Sequence, residues 1–113
     1  MKRNLFNCDH YYWGNNCEGW HLVQSDTLSI IYEKMPPQTS EEKHYHEKAQ
    51  QFFYVLSGVA TFEINGEIII INEGEGLHVQ PGIIHRLFNN TDKAIFFTVT
   101  SQPTSKGDRF TVK

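Results

Sequence analysis

The chain has 113 residues, room for one compact domain and too little for two. A hydrophobic share of 39% and an aromatic share of 13% supply a core and argue against wholesale disorder. The net charge of -3, without any lysine–arginine cluster, disfavours nucleic acid as a partner, and no apolar run approaches the length of a membrane span.

The basic start, Met1 to Asp9, lacks the apolar centre of a signal peptide, so a cytoplasmic location is expected, with Cys8 and Cys17 reduced. These cysteines lack CxxC spacing, and Cys17 reads as a buried apolar residue. Residues 1–19 read as an irregular arm, because asparagine and glycine interrupt Tyr11, Tyr12 and Trp13. Those aromatics need a surface, on their own domain or on a partner subunit. His10 and His21 read as surface or packing residues.

From Trp20 onward the chain reads as short strands. Trp20–Val23 and Leu28–Met35 come first, the second rich in β-branched and aromatic residues and ended by Pro36 and Pro37. Glu41–His46, Gln51–Leu56 and Val59–Ile64 follow, the last with Ala60, Phe62 and Ile64 on one face. A short helix capped by Thr39 is rejected there, because it would send the two nearby histidines apart. Asn65-Gly66 predicts a tight hairpin, returning along Glu67–Ile71. Four consecutive isoleucines lack alternation, which predicts cover on both faces of that strand. Leu77–Gln80, Ile84–Phe88 and Ala94–Thr100 complete a barrel over 20–100, and 101–113 reads as a polar tail with a short final strand. Many short strands with regular turn signals define an all-β sandwich or barrel.

Chemistry concentrates in His44-Tyr45-His46 and in the run from Gln50 to Gly58. Residues two apart share a face only in an extended strand, so His44 and His46 can hold one ion together only there. Neutral imidazole is the commonest transition-metal ligand, which makes this a metal motif. A second stretch runs Gly74 to Asn89 and contains Pro81, Gly82 and His85.

Together the two stretches resemble the paired motifs of the cupin superfamily. His44, His46, Gln51 and Gly58 match the first motif, with glutamine where that pattern has glutamate. Gly74, Gly82, His85 and Asn89 match the second, with its proline displaced by one to Pro81. The resemblance spans Met35 to Thr100 and implies a jelly-roll β-barrel with His44, His46, Gln51 and His85 around a divalent metal ion (Mn, Fe, Ni or Zn). Only the six-residue count to Gly58 favours Gln51 over Gln50. A neutral ligand set leaves the charge of the cation uncompensated, which favours an anionic or enolisable ligand.

Gln51 cannot serve as a general base, so another group must move any proton. Glu47, Tyr54 and His78 are near in sequence; His78 faces either the cavity or the exterior. Arg86, next to His85, belongs on the opposite face. Phe52, Phe53 and Phe62 read as core or cavity lining. The resemblance implies a metal-dependent enzyme acting on a small anionic or carbonyl-bearing metabolite by dioxygenase- or isomerase-like chemistry, or a non-catalytic binding or sensing domain. It also implies a homodimer.

Overall fold

A computed structural model describes residues 1–113 as twelve β-strands in two antiparallel sheets. The first sheet holds β1 (His10–Trp13), β2 (Cys17–Gln24), β3 (Ser29–Met35), β6 (Gln50–Ser57), β9 (Gly76–Val79) and β11 (Ile95–Gln102), in the order β1-β2-β3-β11-β6-β9. The second holds β5 (His44–Tyr45), β7 (Ala60–Ile64), β8 (Glu67–Ile71), β10 (His85–Asn89) and β12 (Phe110–Thr111), in the order β12-β5-β10-β7-β8. β4 (Thr39–Ser40) also pairs with β10. No helix is long and apolar enough to cross a membrane.

Strict alternation builds the core. In β6, Gln51, Phe53 and Val55 are buried while Phe52, Tyr54 and Leu56 are exposed. In β11, Ile95, Phe97, Val99 and Ser101 are buried by the same period of two. These side chains meet Ala60, Phe62 and Leu87 from the opposite sheet. Asn65 and Gly66 both take positive φ, 47° and 88°, the geometry that a two-residue hairpin requires.

Four local expectations need correction. Residues 10–19 are not irregular: β1 and β2 form a hairpin that extends the first sheet, with Tyr11 opposite Gly19. Asn16 at φ 62° and Gly14 at φ 53° make its turn, so the residues that looked like breakers are the hairpin signal itself. Trp13 packs against this chain's own core. The strand placed over Glu41–His46 is interrupted between Ser40 and His44: Glu41 N–H still donates to the Leu87 carbonyl at 3.0 Å, but the return bond from Leu87 N–H goes to the Glu41 carboxylate at 2.9 Å. The isoleucine strand is covered on one face only, because the outer face of its sheet meets solvent: Ile71 is buried, whereas Ile68 and Ile70 are each 59% exposed. Phe52 lies outside, not in the core.

The tail closes one end of the barrel. Thr104 N–H donates to the Asp26 carbonyl, and β12 then pairs with β5, stacking Phe110 on Tyr45 at 5.3 Å.

Candidate metal centre

His44 and His85 are direct cross-strand partners on β5 and β10, so their side chains leave the sheet side by side. His46 follows β5 on the same face. Ring centroids lie 4.4 Å apart for His44 and His85, 5.0 Å for His44 and His46, and 5.7 Å for His46 and His85. All three imidazoles are at most 4% exposed, and one nitrogen from each lies within 4.8 Å of the others.

The other nitrogen of each ring is committed to backbone. His44 Nδ1 donates to the Glu42 carbonyl at 2.7 Å, His85 Nδ1 to the Ile83 carbonyl at 2.9 Å, and His46 Nδ1 to the Asp108 carbonyl. A carbonyl oxygen only accepts, so each Nδ1 carries the proton and each Nε2 keeps a bare lone pair. The Nε2 atoms of His46 and His85 are buried without any hydrogen-bond partner. Orphaned acceptors at such depth are costly unless something electron-poor meets them. Backbone-anchored Nδ1–H with a free Nε2 is the arrangement that orients imidazole toward a metal.

The electrostatics agree. Burial, reinforced by the charge of Arg109 and the neighbouring imidazoles, lowers His44 to about 3 against the pull of its Glu42 hydrogen bond. Burial likewise lowers His85 to about 4, with His46 and Arg109 adding to it. Both rings are therefore neutral at physiological pH, the ligating form.

Gln51 shares the interior face. Its Nε2 donates to Ser101 Oγ at 3.0 Å, which leaves Oε1 buried and unpartnered. Gln50 points outward, accepting from His78 Nε2 at 2.8 Å and donating to Gln102 Oε1 at 2.8 Å. Gln51, not Gln50, therefore shares the interior with the histidines, and His78 lies on the exterior. Tyr54 and Glu47 are exposed too, so none of the three proton carriers near in sequence reaches the interior. Arg86 sits on the opposite face from His85, as alternation requires, and pairs with Glu63 at 3.0 Å.

One residue of the centre escaped the sequence. Asp108, in the polar tail, accepts N–H bonds from Glu47, Lys48 and Ala49 at 2.9 to 3.0 Å while its carbonyl holds His46. Its partial burial acts upward on the carboxyl, but the three backbone bonds outweigh it and keep the group below the usual range. Only the Gly107 turn before it hinted at a structured tail, and nothing local names its partners.

The cupin domain family matches residues 31–101, more than half of the chain, and the protein belongs to that family. It is similar in fold to a predicted oxalate decarboxylase from Thermotoga maritima: TM-score 0.83, 21% identity, covering 92% of this chain and 100% of the other. It is also similar to a cupin-superfamily sugar phosphate isomerase from Silicibacter pomeroyi: TM-score 0.80, 18% identity, covering 92% and 76%. Identities this low establish the shared two-sheet cupin barrel and nothing about activity. A 42-residue stretch is 43% identical to an uncharacterized HTH-type transcriptional regulator of Bacillus subtilis, covering 37% of this chain and only 14% of that protein.

Two outcomes follow. Asp108→Ala removes the clamp on the loop after His46 and is expected to weaken metal affinity about 10- to 100-fold, read by competition with a chromophoric chelator. His85 binds its proton more weakly folded than unfolded, so it costs stability as pH falls from the unfolded value of about 6.5 toward about 4. In metal-free protein, His85→Gln should therefore gain on the order of 1 kcal/mol relative to wild type between pH 7 and pH 5, measured by urea unfolding.

Proposed function

We propose that the protein is a metal-dependent enzyme in which His44, His46 and His85, with Gln51 Oε1, hold one divalent cation. The observation that carries this reading is the set of lone pairs from residues far apart in the chain, each aimed by a backbone-bound Nδ1–H into one buried space. Imidazole nitrogen and amide oxygen suit Mn, Fe, Ni or Zn. A cation here supplies Lewis acidity and orients a donor-bearing substrate. The protein contributes a neutral cage, so the undiminished positive charge selects a small anionic or carbonyl-bearing metabolite. Dioxygenase- or isomerase-like chemistry on such a molecule fits a set of four protein ligands, which would leave coordination positions for it, and a cytoplasmic location fits the unpaired Cys8 and Cys17.

A second reading, a domain that binds or senses a metabolite without turnover, draws support from the stretch similar to the Bacillus subtilis regulator. Oxygen consumption and product formation across a metabolite panel separate the two readings.

We further propose a homodimer built on the outer wall of the first sheet. Trp20, Tyr32, Phe96, Tyr54 and Phe52 form a nearly continuous aromatic surface there, with Phe52 44% exposed and Tyr54 38% exposed. A contiguous apolar wall of this kind is characteristic of an interface rather than of free surface.

Elemental analysis of untagged protein should find about one divalent ion per chain, lost in His44→Ala/His46→Ala with the β-sheet circular dichroism retained. Wild-type protein without metal after reconstitution would refute the first proposal. Light scattering should give twice the chain mass, reduced to one chain mass in Phe52→Glu/Tyr54→Glu; a monomeric wild type at all concentrations would refute the second.

A further inference from the structure

The inner wall of the first sheet changes character at one level. Along β11 the inward residues Ile95, Phe97 and Val99 are apolar, and Ser101 then breaks the series. Along β6, Val55 and Phe53 give way to Gln51 in the same manner. Strand register sets these two changes side by side, in a row that runs Ser29, Ser101, Gln51 and Val79 across β3, β11, β6 and β9. All four side chains are buried. Phe53, the next inward residue of β6, holds its ring 6.2 Å from that of His85, so Gln51 enters the interior one inward step from a side chain that meets the imidazoles. By contrast, the cavity of about 450 Å³ lined by Tyr11, Glu33, Glu41 and Arg109, where the Tyr11 phenol donates to Glu33 at 3.4 Å, is lined by none of the three histidines.

Burying an amide and a hydroxyl in an otherwise apolar wall costs free energy unless each finds a partner. Gln51 has one polar neighbour in its row, because Val79 on the other side offers none. Its Nε2 donates to Ser101 Oγ at 3.0 Å, and its Oε1 is buried with no partner at all. The two ends of an amide are nearly equal in size and opposite in chemistry: the oxygen accepts and can hold a cation, whereas the NH2 group only donates. Half a turn about the last torsion exchanges them at little steric cost, since that torsion is broad and two-fold. Turned over, the NH2 would face the same interior as the Nε2 atoms of His46 and His85, which lie buried without a donor. A hydrogen bond between them would spend lone pairs that a cation needs.

We propose that Ser101 is the positioning residue of the metal centre, its hydroxyl holding the Gln51 NH2 so that Oε1 faces the cation. This rests on the metal reading above and adds to it a reason for the orientation of the neutral ligand. With a cation on Oε1, the amide nitrogen has to find an acceptor in a buried wall, and Ser101 Oγ is the one its row supplies. Without the hydroxyl, ligation would leave a buried N–H group unsatisfied, a cost that falls on the metal-bound protein. The metal-free protein escapes that cost by turning the amide over. Ser101 therefore acts on affinity through Gln51, and touches neither the ion nor any substrate. The demand is peculiar to glutamine, since a carboxylate in its place would need donors and no acceptor.

The experiment is a double-mutant cycle on zinc affinity, read by competition with a chromophoric chelator, with stability followed by urea unfolding. Ser101→Ala should weaken zinc binding on the order of 10-fold or more. In a Gln51→Ala background the same change should leave zinc affinity unaltered, because the residue it acts through is gone. Ser101→Thr, which keeps the hydroxyl, should restore most of the affinity. Visible spectra of cobalt-loaded protein give a second readout: the d–d bands of Ser101→Ala should match those of Gln51→Ala rather than wild type. In zinc-loaded wild type, NMR should find the Gln51 NH2 protons exchanging slowly with water, and this arm does not depend on how any variant folds. Fast exchange there, or an affinity loss in Ser101→Ala that persists without Gln51, would overturn the role of Ser101 and leave the histidine centre standing. Zinc affinity unchanged in Ser101→Ala or in Gln51→Ala would do the same. A wild-type protein that takes up no zinc would overturn the metal reading with it.

Discussion

Everything proposed for this barrel depends on three hydrogen bonds to backbone carbonyls. A histidine buried in a β-barrel can satisfy its polar atoms in several ways, most of which leave no free lone pair. Here the Glu42, Asp108 and Ile83 carbonyls each take the Nδ1 proton, so each ring presents Nε2 inward. Because those carbonyls belong to folded backbone, ring orientation is set before any ion arrives. Burial then keeps the rings neutral without help from a neighbouring base.

That constraint explains the work done by the tail. Residues 101–113 do not trail from the barrel; they return to it, and Asp108 binds the loop after His46 with both its main chain and its carboxylate. Loss of the tail would release one imidazole of three and the turn that carries it. Arg109 follows Asp108 directly, and its charge adds to the lowering of His44 and His85, so one short segment serves positioning and electrostatics alike.

The two polar groups of the interior have opposite logic. The histidine site is made of neutral donors with unspent lone pairs, suited to a positive ion. The cavity lined by Glu33, Glu41, Glu42 and Arg109 is made of acids and one guanidinium. The glutamine at position 51 adds a buried, unpartnered oxygen without any acid–base capacity.

The sequence by itself determined the all-β class, most of the strands from Trp20 to Thr100, and the facing of the inward imidazoles, because a period of two and the Asn65-Gly66 turn are local signals. It also carried the convergence of His44, His46 and His85, through paired motifs whose spacing encodes register. It misjudged the β1–β2 hairpin, where turn residues looked like the breaks of an irregular arm, and the isoleucine strand, where nothing local tells that one face lies outside the barrel. That Gln51 rather than Gln50 faces the interior was legible as a count, and the hydrogen bonds of the two amides agree with that facing. Asp108, Glu33 and Glu41 were beyond it altogether. Their placement comes from contacts such as Asp108 to Ala49 and Glu33 to Tyr11, between segments that only tertiary folding brings within hydrogen-bond distance.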